Sequence, residues 1–359
     1  MGKAVAFRGI LCYNKGKLTS FHPYCFHKEN IMSVRTLSHL IRLLSLFFVV
    51  CLLTACAPDN ASESETPDPN ETQWLNMNLD YPAPDTLPEG NGKPVKVVIL
   101  LGQSNATGSS ITAYLKDNIS PEQFARYEAG FDSVLINYCL DDHNATSEGQ
   151  FVPVDLTCGA TTGFFGPEVG MAEVLSETCP GETVYILKYT MSGYSLHHHW
   201  LCAGARGSVY EACMAFLTTR LDYMRDHGYD PAVEAVCWMQ GESDTTDFKA
   251  AHYYENQAAF AAYLREDLAG YAPGDGIYFI DAGISDSPYC EPAYPTVNEA
   301  KERFSKLSPL NLYFSTIDLG FTIHKEPEGD PDWGHYDSLC ELELGRIFGR
   351  MAAEVMGGE

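Results

Sequence analysis

Residues 95–101 read Val-Lys-Val-Val-Ile-Leu-Leu and run directly into Gly102-Gln103-Ser104-Asn105. A nearly continuous β-branched and aliphatic run of this length is typical of a strand that is buried on both faces of a parallel sheet. Because the polar tetrad follows at once, we expect the hydroxyl of Ser104 at the edge of that sheet, where a nucleophile must be presented. Alone the tetrad is a weak signal, since a serine after a strand is most often a helix cap.

Four further runs of the same character follow, and helical stretches separate them. The predicted strands are Val184–Tyr189, Val233–Met239, Ile277–Asp281 and Leu312–Ile317. The predicted helices are Gly207–His227, Ala251–Gly270, Glu299–Ser305 and Ser338–Met356, with one more that opens at Gly166-Pro167-Glu168. This alternation predicts an α/β fold, a three-layer α/β/α sandwich around a mainly parallel five-stranded sheet. In such a sheet the functional crevice lies at the carboxyl ends of the strands.

Composition places the chain among globular proteins and excludes one class of partner. The chain has 359 residues, of which 45% are hydrophobic and 20% are charged, enough to bury a sizeable core. Its formal net charge of -25 argues against binding to nucleic acid, and against docking on anionic lipid through a basic surface. We therefore expect neutral or weakly charged partners and no nucleic acid.

The N-terminal segment is predicted to be a targeting signal rather than part of the folded domain. Residues 46–53 form an uninterrupted apolar run that is too short to span a membrane and is typical of the core of a secretory signal peptide. Leu53-Thr54-Ala55-Cys56 then resembles the lipobox of bacterial lipoproteins, in which the cysteine is lipidated. We predict a lipoprotein signal peptide over residues 32–55, and we interpret residues 1–31 as a misread upstream start.

The remaining boundaries follow from Cys56. Residues 56–92 begin with this cysteine and continue as a segment rich in Pro, Ser and acids, which predicts a disordered acidic tether. Residues 93–357 form the predicted folded domain, which carries the motifs described below. The expected location is the bacterial cell envelope, outside the cytoplasm, with membrane contact through the lipid anchor only. A soluble protein cut after Ala55 is the alternative.

Two later stretches carry groups suited to acid–base chemistry. Residues 238–244 read WMQGESD and follow a predicted strand, while residues 332–335 read DWGH and precede the closing helix. A D-x-x-H turn lets one loop supply both a general base and the carboxylate that fixes its tautomer. Each fragment alone could be an ordinary polar loop, but their joint occurrence with Ser104 indicates a hydrolytic site.

These motifs together resemble those of the SGNH-type carbohydrate esterases. They are GQSN at 102–105, GPE at 166–168, WMQGES at 238–243 and DWGH at 332–335. The resemblance is strongest to the branch of sialate O-acetylesterase-like proteins and family 6 acetyl xylan esterases, and it covers roughly residues 94–356. It implies a serine esterase that removes O-acetyl groups from a carbohydrate through an acyl-enzyme. It implies no metal and no organic cofactor, and it leaves the identity of the sugar open.

The resemblance also implies roles for individual residues. Ser104 would be the nucleophile, His335 its general base, and Asp332 the carboxylate that orients the histidine. The backbone N–H groups of Ser104 and Gly166, with the side-chain amide of Gln240, would form the oxyanion hole.

Two assignments stay open at this stage. Glu242 either supports the catalytic histidine or holds the nucleophile loop together, so it ranks second to Asp332. His324 competes with His335 as the base, although the Asp three residues earlier and the helix that follows favour His335.

The sequence departs from the family pattern in places. Ala106 stands where relatives often have Met, and Ser192-Gly193-Tyr194-Ser195 replaces a GGTS-like turn. The triple His197-His198-His199 could suggest a metal site, but three consecutive residues cannot easily converge on one ion. We expect a loop lining the substrate crevice instead. Cys202 and Cys213 are the pair most suited to a disulfide. A non-catalytic glycan-binding surface lipoprotein and an acyltransferase using the same serine are the alternatives in other classes.

Overall fold

The structure is a computed structural model that describes residues 87–357. The predicted signal peptide, Cys56 and most of the predicted tether lie outside the described residues, so those boundaries stay predictions. Within residues 87–357, no helix combines the length and the apolar character needed to cross a membrane.

Strands and helices alternate along the described chain. The strands are β1 (Lys93–Gly102), β2 (Ser110–Ile111), β3 (Phe131–Leu140), β4 (Ala145–Thr146), β5 (Val152–Val154), β6 (Phe164–Phe165), β7 (Val184–Thr190), β8 (Leu201–Cys202), β9 (Ala205–Arg206), β10 (Tyr229–Met239), β11 (Tyr278–Ala282) and β12 (Asn311–Phe314). The helices are α1 (Ser104–Thr107), α2 (Thr112–Asn118), α3 (Pro121–Ala129), α4 (Glu168–Thr178), α5 (Ser208–Asp226), α6 (Asp247–Ala251), α7 (Tyr253–Asp267), α8 (Tyr294–Ser305) and α9 (Ser338–Val355). A π-helical turn forms at Leu196–Trp200, and 3₁₀ turns form at Glu242–Asp244 and Ala269–Tyr271.

The central sheet confirms the predicted α/β class. In the described part of the chain it has eight strands in the order β12-β11-β10-β1-β7-β3-β4, with β5 also paired to β3. The six strands from β12 to β3 are mutually parallel, and β4 and β5 are antiparallel additions to β3. The predicted count of five strands is therefore wrong, because β3 joins the parallel set.

Strand β3 escaped prediction because polar residues interrupt its apolar run. Asn137 lies in the middle of the strand and is fully buried. Its Nδ2 donates to Gly149 O at 2.8 Å, and its Oδ1 accepts from Ser147 Oγ at 3.2 Å. A buried amide with both ends satisfied costs little, so a strand can tolerate it. The hydrophobic pattern alone does not show such partners.

Helices α4 and α9 pack together unusually closely because both present glycines at the contact. A Cβ at Gly345 would lie 1.9 Å from Pro167 O, and one at Gly170 would lie 2.1 Å from Leu342 O. Each would overlap backbone rather than a flexible side chain, so both positions require glycine. The contact fixes the N-terminus of α4 beside the closing helix.

The strand order determines where the crevice opens. Strand β1 lies between β7 and β10, and the chain leaves β1 toward β3 but leaves β10 toward β11. The carboxyl ends of β1 and β10 therefore form the switch point at which ligands bind in sheets of this kind. Gly102 and Met239 are register partners at this end, so the GQSN and QGES segments leave the sheet side by side.

Candidate active site

The turn that carries Ser104 depends on a glycine at the end of β1. Gly102 has φ +150°, and a Cβ there would lie 1.9 Å from Met239 O on the neighbouring strand. Gln103 continues in an extended conformation and donates its N–H to Met239 O at 3.0 Å. Ser104 is half-buried and is the first residue of α1. Because the first N–H groups of a helix have no acceptor within it, the Ser104 N–H is available to a ligand.

Asn105 joins three segments of the site through one buried amide. Its Nδ2 donates to Glu242 Oε1 at 2.7 Å and to Gly334 O at 3.3 Å, and its Oδ1 accepts from Tyr336 N at 3.1 Å. Gly334 and Tyr336 flank His335, so the amide holds the loop of the histidine against the turn of the nucleophile. The structure thereby brings together segments that are more than 200 residues apart in the chain.

His335 and Asp332 form the pair predicted from the D-x-x-H turn. His335 Nδ1 and Asp332 Oδ2 are 2.6 Å apart, and Gly334 N donates to Asp332 Oδ1 at 2.9 Å. A proton on Nδ1 leaves Nε2 with the lone pair that a general base needs. Partial burial would raise the pKa of Asp332, but the hydrogen bonds from His335 and Gly334 outweigh it and hold that pKa below its ordinary value.

Glu242 contacts the nucleophile turn rather than the histidine. Its carboxylate is fully buried, and Oε1 accepts from Asn105 Nδ2, while Oε2 has no hydrogen-bond partner among the described residues. Burial raises the pKa of Glu242 against the hydrogen bond from Asn105, which lowers it. Of the two roles left open by the sequence, the geometry supports the one in which Glu242 holds the nucleophile loop together.

His324 lies in the same loop but has different surroundings from His335. It is exposed, and its ring stacks on Trp333 with the centroids 6.3 Å apart and the planes inclined by 22°. Within residues 87–357 no carboxylate hydrogen-bonds to it. The geometry therefore favours His335 as the base.

Gln240, predicted as an oxyanion donor, has its side-chain amide bonded inside the protein, and its role in the oxyanion hole stays a prediction. The residue is fully buried, and its Nε2 donates to Asp244 Oδ2 at 2.6 Å and contacts Gln103 Oε1 at 3.2 Å. Its Oε1 accepts from the Tyr253 hydroxyl at 3.0 Å, which fixes the orientation of the amide. Gln240 could therefore donate to an oxyanion only after its amide releases Asp244 or Gln103.

Gly166 likewise differs from the prediction of a free N–H at a helix N-terminus. Its N–H donates to Glu168 Oε1 at 3.0 Å. Glu168 is held in place by an ion pair with Lys188, at 2.6 Å between Oε2 and Nζ, and both side chains are fully buried. The sequence shows Glu168 two residues after Gly166, but it does not show that the carboxylate accepts from the Gly166 N–H. That contact depends on Lys188 on β7, which holds the carboxylate in place.

A second support of the nucleophile turn was not predicted. Asp141, just after β3, accepts from Ser192 N at 2.6 Å and from Ser192 Oγ at 2.9 Å. The Ser192 hydroxyl in turn reaches Thr107 Oγ1 at 3.2 Å, at the end of α1. The Ser-Gly-Tyr-Ser segment that departs from the family pattern therefore braces α1 from the side of β7.

The three consecutive histidines form most of the π-helical turn after β7. Asp244 caps this turn by accepting from Leu196 N at 2.7 Å and from His197 N at 3.1 Å. Asn256 Nδ2 lies 2.8 Å from His197 Nδ1. Burial, with the charges of neighbouring His and Lys side chains, lowers the pKa of His197 to about 4. Within residues 87–357, no group of three His, Cys, Asp or Glu side chains is arranged to hold a metal ion.

The predicted disulfide is wrong. The eight cysteines of the described chain are all free, and Cys202 is exposed on β8 whereas Cys213 is buried in α5. The even count of cysteines permitted bridges but did not require them.

Comparison with known proteins gives one family and a set of similar folds. The family model described as a carbohydrate esterase, sialic acid-specific acetylesterase, matches residues 94–353. The crystal structure of NanS has a TM-score of 0.53 at 15% identity, covering 74% of this chain and 98% of that one. A protein from Arabidopsis thaliana has a TM-score of 0.52 at 21% identity, covering 73% and 98%. At these identities the two structures show the fold alone. No curated protein matches the chain by sequence.

Proposed function

The chain belongs to the sialic acid-specific acetylesterase family of carbohydrate esterases, and on that premise we propose that Ser104 attacks O-acetyl esters of a carbohydrate outside the cytoplasm. The protein is a carbohydrate O-acetylesterase. The observation that carries the assignment of the nucleophile is the amide of Asn105, which bonds both neighbours of His335 and is itself next to Ser104.

The proposed reaction proceeds through an acyl-enzyme. His335 Nε2 takes the proton of Ser104 as Oγ attacks the acetyl carbonyl carbon, and Asp332 stabilises the imidazolium that forms. The tetrahedral intermediate collapses, and the sugar hydroxyl leaves with the proton from His335. A water molecule, deprotonated by His335, then attacks the acetyl-serine and releases acetate, which regenerates Ser104.

The negative charge of the tetrahedral intermediate requires preorganised donors. The N–H of Ser104 supplies one, since it starts α1 without an acceptor in the helix. The N–H of Gly166 and the amide of Gln240 would contribute only by releasing the carboxylates that they now bind. Each donor aimed at such an oxygen is typically worth about 3 kcal/mol.

The proposal is tested by the hydrolysis of a chromogenic acetyl ester by the full chain. We expect Ser104→Ala to lower kcat by at least about 10³-fold, because the covalent step is lost. Ser176→Ala is the matched control, since it removes a half-buried hydroxyl near the C-terminal end of α4, which bonds Glu173 O and takes no part in the proposed machinery. Equal rates for Ser104→Ala and the unmodified chain would remove Ser104 from the mechanism. A sugar acceptor added to the assay distinguishes acetyl transfer from hydrolysis.

We also propose that the enzyme is anchored to the bacterial cell envelope through lipidated Cys56. Support comes from the short apolar run at residues 46–53, the lipobox-like residues that end at Cys56, and the acidic segment that follows. Cells that express the native chain or Cys56→Ser should differ on fractionation, with the native chain in the membrane and the variant released. Equal amounts of both in the medium would contradict the anchor and leave the esterase assignment intact.

A further inference from the structure

Three exposed aromatic side chains follow the carboxyl ends of consecutive strands. In the described part of the chain, Phe248 follows β10, Tyr289 follows β11 and Trp333 follows β12. Of these, Trp333 is 47% exposed and stands two residues before His335. Single exposed apolar residues are common, but an indole this close to the catalytic histidine offers a large apolar face to a bound ligand.

Trp333 is held in place although its ring is exposed. The backbone on either side is fixed, because Asp332 bonds both His335 and Gly334, and Asn105 holds Gly334 O. The ring itself stacks on His324. The indole is therefore positioned before any ligand arrives, which lowers the entropy cost of packing a ligand against it. A flat apolar face of this kind suits the C–H face of a sugar ring.

The loop around Trp333 is strongly acidic. The residues between His324 and His335 include one basic residue, Lys325, and four acidic ones: Glu326, Glu328, Asp330 and Asp332. Asp332 is bound to His335 and Glu326 to Ser338, whereas Glu328 and Asp330 are exposed. A carboxylate on the substrate would meet repulsion here.

Arginine, the usual partner of a carboxylate ligand, lies elsewhere. Downstream of the predicted signal peptide, seven of the eight arginines lie on helices α3, α5, α7, α8 and α9. The eighth, Arg206 on β9, is bound by Asp267 and Glu266. None lies in the loops that follow β1, β10, β11 or β12, the loops that surround Ser104 and His335.

We propose that Trp333 is a specificity-determining residue, whose indole stacks on a sugar ring of an electrically neutral acetylated glycan. The acidic loop beside it disfavours sugars that carry a carboxylate, including the sialic acids in the family's description. This inference rests on the proposed function and adds the substrate class.

The stacking is tested with Trp333→Ala, Trp333→Phe and the control Leu307→Ala, all in the full chain. Leu307 is also exposed, at 57%, but precedes β12 at the opposite edge of the sheet. One substrate is a chromogenic aryl acetate. The other is chosen from O-acetylated cello-, xylo- and manno-oligosaccharides as the one that the unmodified chain hydrolyses with the highest kcat/KM. We expect Trp333→Ala to lower kcat/KM on the oligosaccharide about tenfold more than on the aryl acetate, mainly through KM. Trp333→Phe should recover part of this loss. Leu307→Ala should leave kcat/KM unchanged on both substrates.

The charge preference is tested with a pair of substrates that differ only in charge: an O-acetylated sialic acid and its carboxamide. The carboxamide should be the better substrate at low salt, by about threefold or more, and added salt should narrow the difference because it screens repulsion. A preference for the acid, or equal losses on sugar and aryl acetate in Trp333→Ala, would overturn the inference. Failure to hydrolyse any neutral oligosaccharide while the aryl acetate is hydrolysed would also overturn it. Failure of the unmodified chain on the aryl acetate would instead refute the proposed function.

Discussion

Replacing Asp332 by Asn is the most direct way to identify the carboxylate that serves His335. The Asp332 side chain is 49% exposed, and its Oδ2 is 2.6 Å from His335 Nδ1. Asn keeps the shape but removes the charge that favours the imidazolium, and it can present an N–H in place of an acceptor. Glu242→Gln is the matched control, since it is the other acid near the nucleophile and changes by the same single atom.

The expected magnitude follows from the exposure of the pair. A charge-assisted hydrogen bond contributes about 1.5–3 kcal/mol, which corresponds to roughly 10–150-fold in rate. Because solvent reaches half of the Asp332 side chain, we expect a loss in kcat of about 30-fold rather than the far larger loss seen when a deeply buried triad Asp is changed. KM should stay within about twofold, since the interaction strengthens only as the imidazolium forms.

Glu242→Gln should behave differently because its one hydrogen bond survives. The new side chain can still accept from Asn105 through its amide oxygen, so we expect kcat to change less than about threefold. A larger effect on activity from Glu242→Gln than from Asp332→Asn would assign the supporting role to Glu242.

The assay is steady-state hydrolysis of a chromogenic acetyl ester, completed by a double-mutant cycle. In a His335→Ala background, Asp332→Asn should cause almost no further loss, because Asp332 acts through the histidine. A full 30-fold loss in that background would refute the reasoning, since it would show that Asp332 acts on the reaction by another route.

Two further predictions concern stability. Gly345→Ala places a Cβ 1.9 Å from Pro167 O and should lower the free energy of unfolding, measured in urea, by about 3 kcal/mol. In the control Gly270→Ala, nothing lies within 4 Å of the new Cβ, so the free energy of unfolding should change by less than about 0.5 kcal/mol. Equal losses in the two variants would show that the contact between α4 and α9 does not need the glycine. Because burial lowers the pKa of His197 to about 4 from 6.5, the unfolded chain takes up a proton that the native state does not, and stability falls as the pH falls from 6.5 toward 4. Between pH 7 and pH 5, the free energy of unfolding should fall by about 2 kcal/mol less in His197→Gln than in the unmodified chain. If the free energies of unfolding of the two chains fall in parallel with pH, the assignment to His197 is contradicted.

Several features of the fold and the site could be read from local sequence. Buried parallel strands such as β1 are nearly continuous apolar runs, so five of the six parallel strands and their order along the chain were predictable, as was the layered class. The contact between Asp332 and His335 spans three residues and forms within one turn, and so the motif itself predicted it. Strand β3 escaped because its burial of Asn137 depends on partners in a later loop.

The tertiary structure decided which polar groups are used and which are free. In the sequence, Gln240 and Gly166 were suitable donors, but Asp244 and Glu168 accept their N–H groups once the chain is folded. The role of Asn105 depends on contacts across more than 130 residues to Glu242 and more than 220 to the histidine loop. Hydrophobic periodicity reports the burial of a segment, which is local, whereas a hydrogen bond requires two atoms at a given distance. That distance exists only after the strands have packed in the order that brings β1 and β10 together.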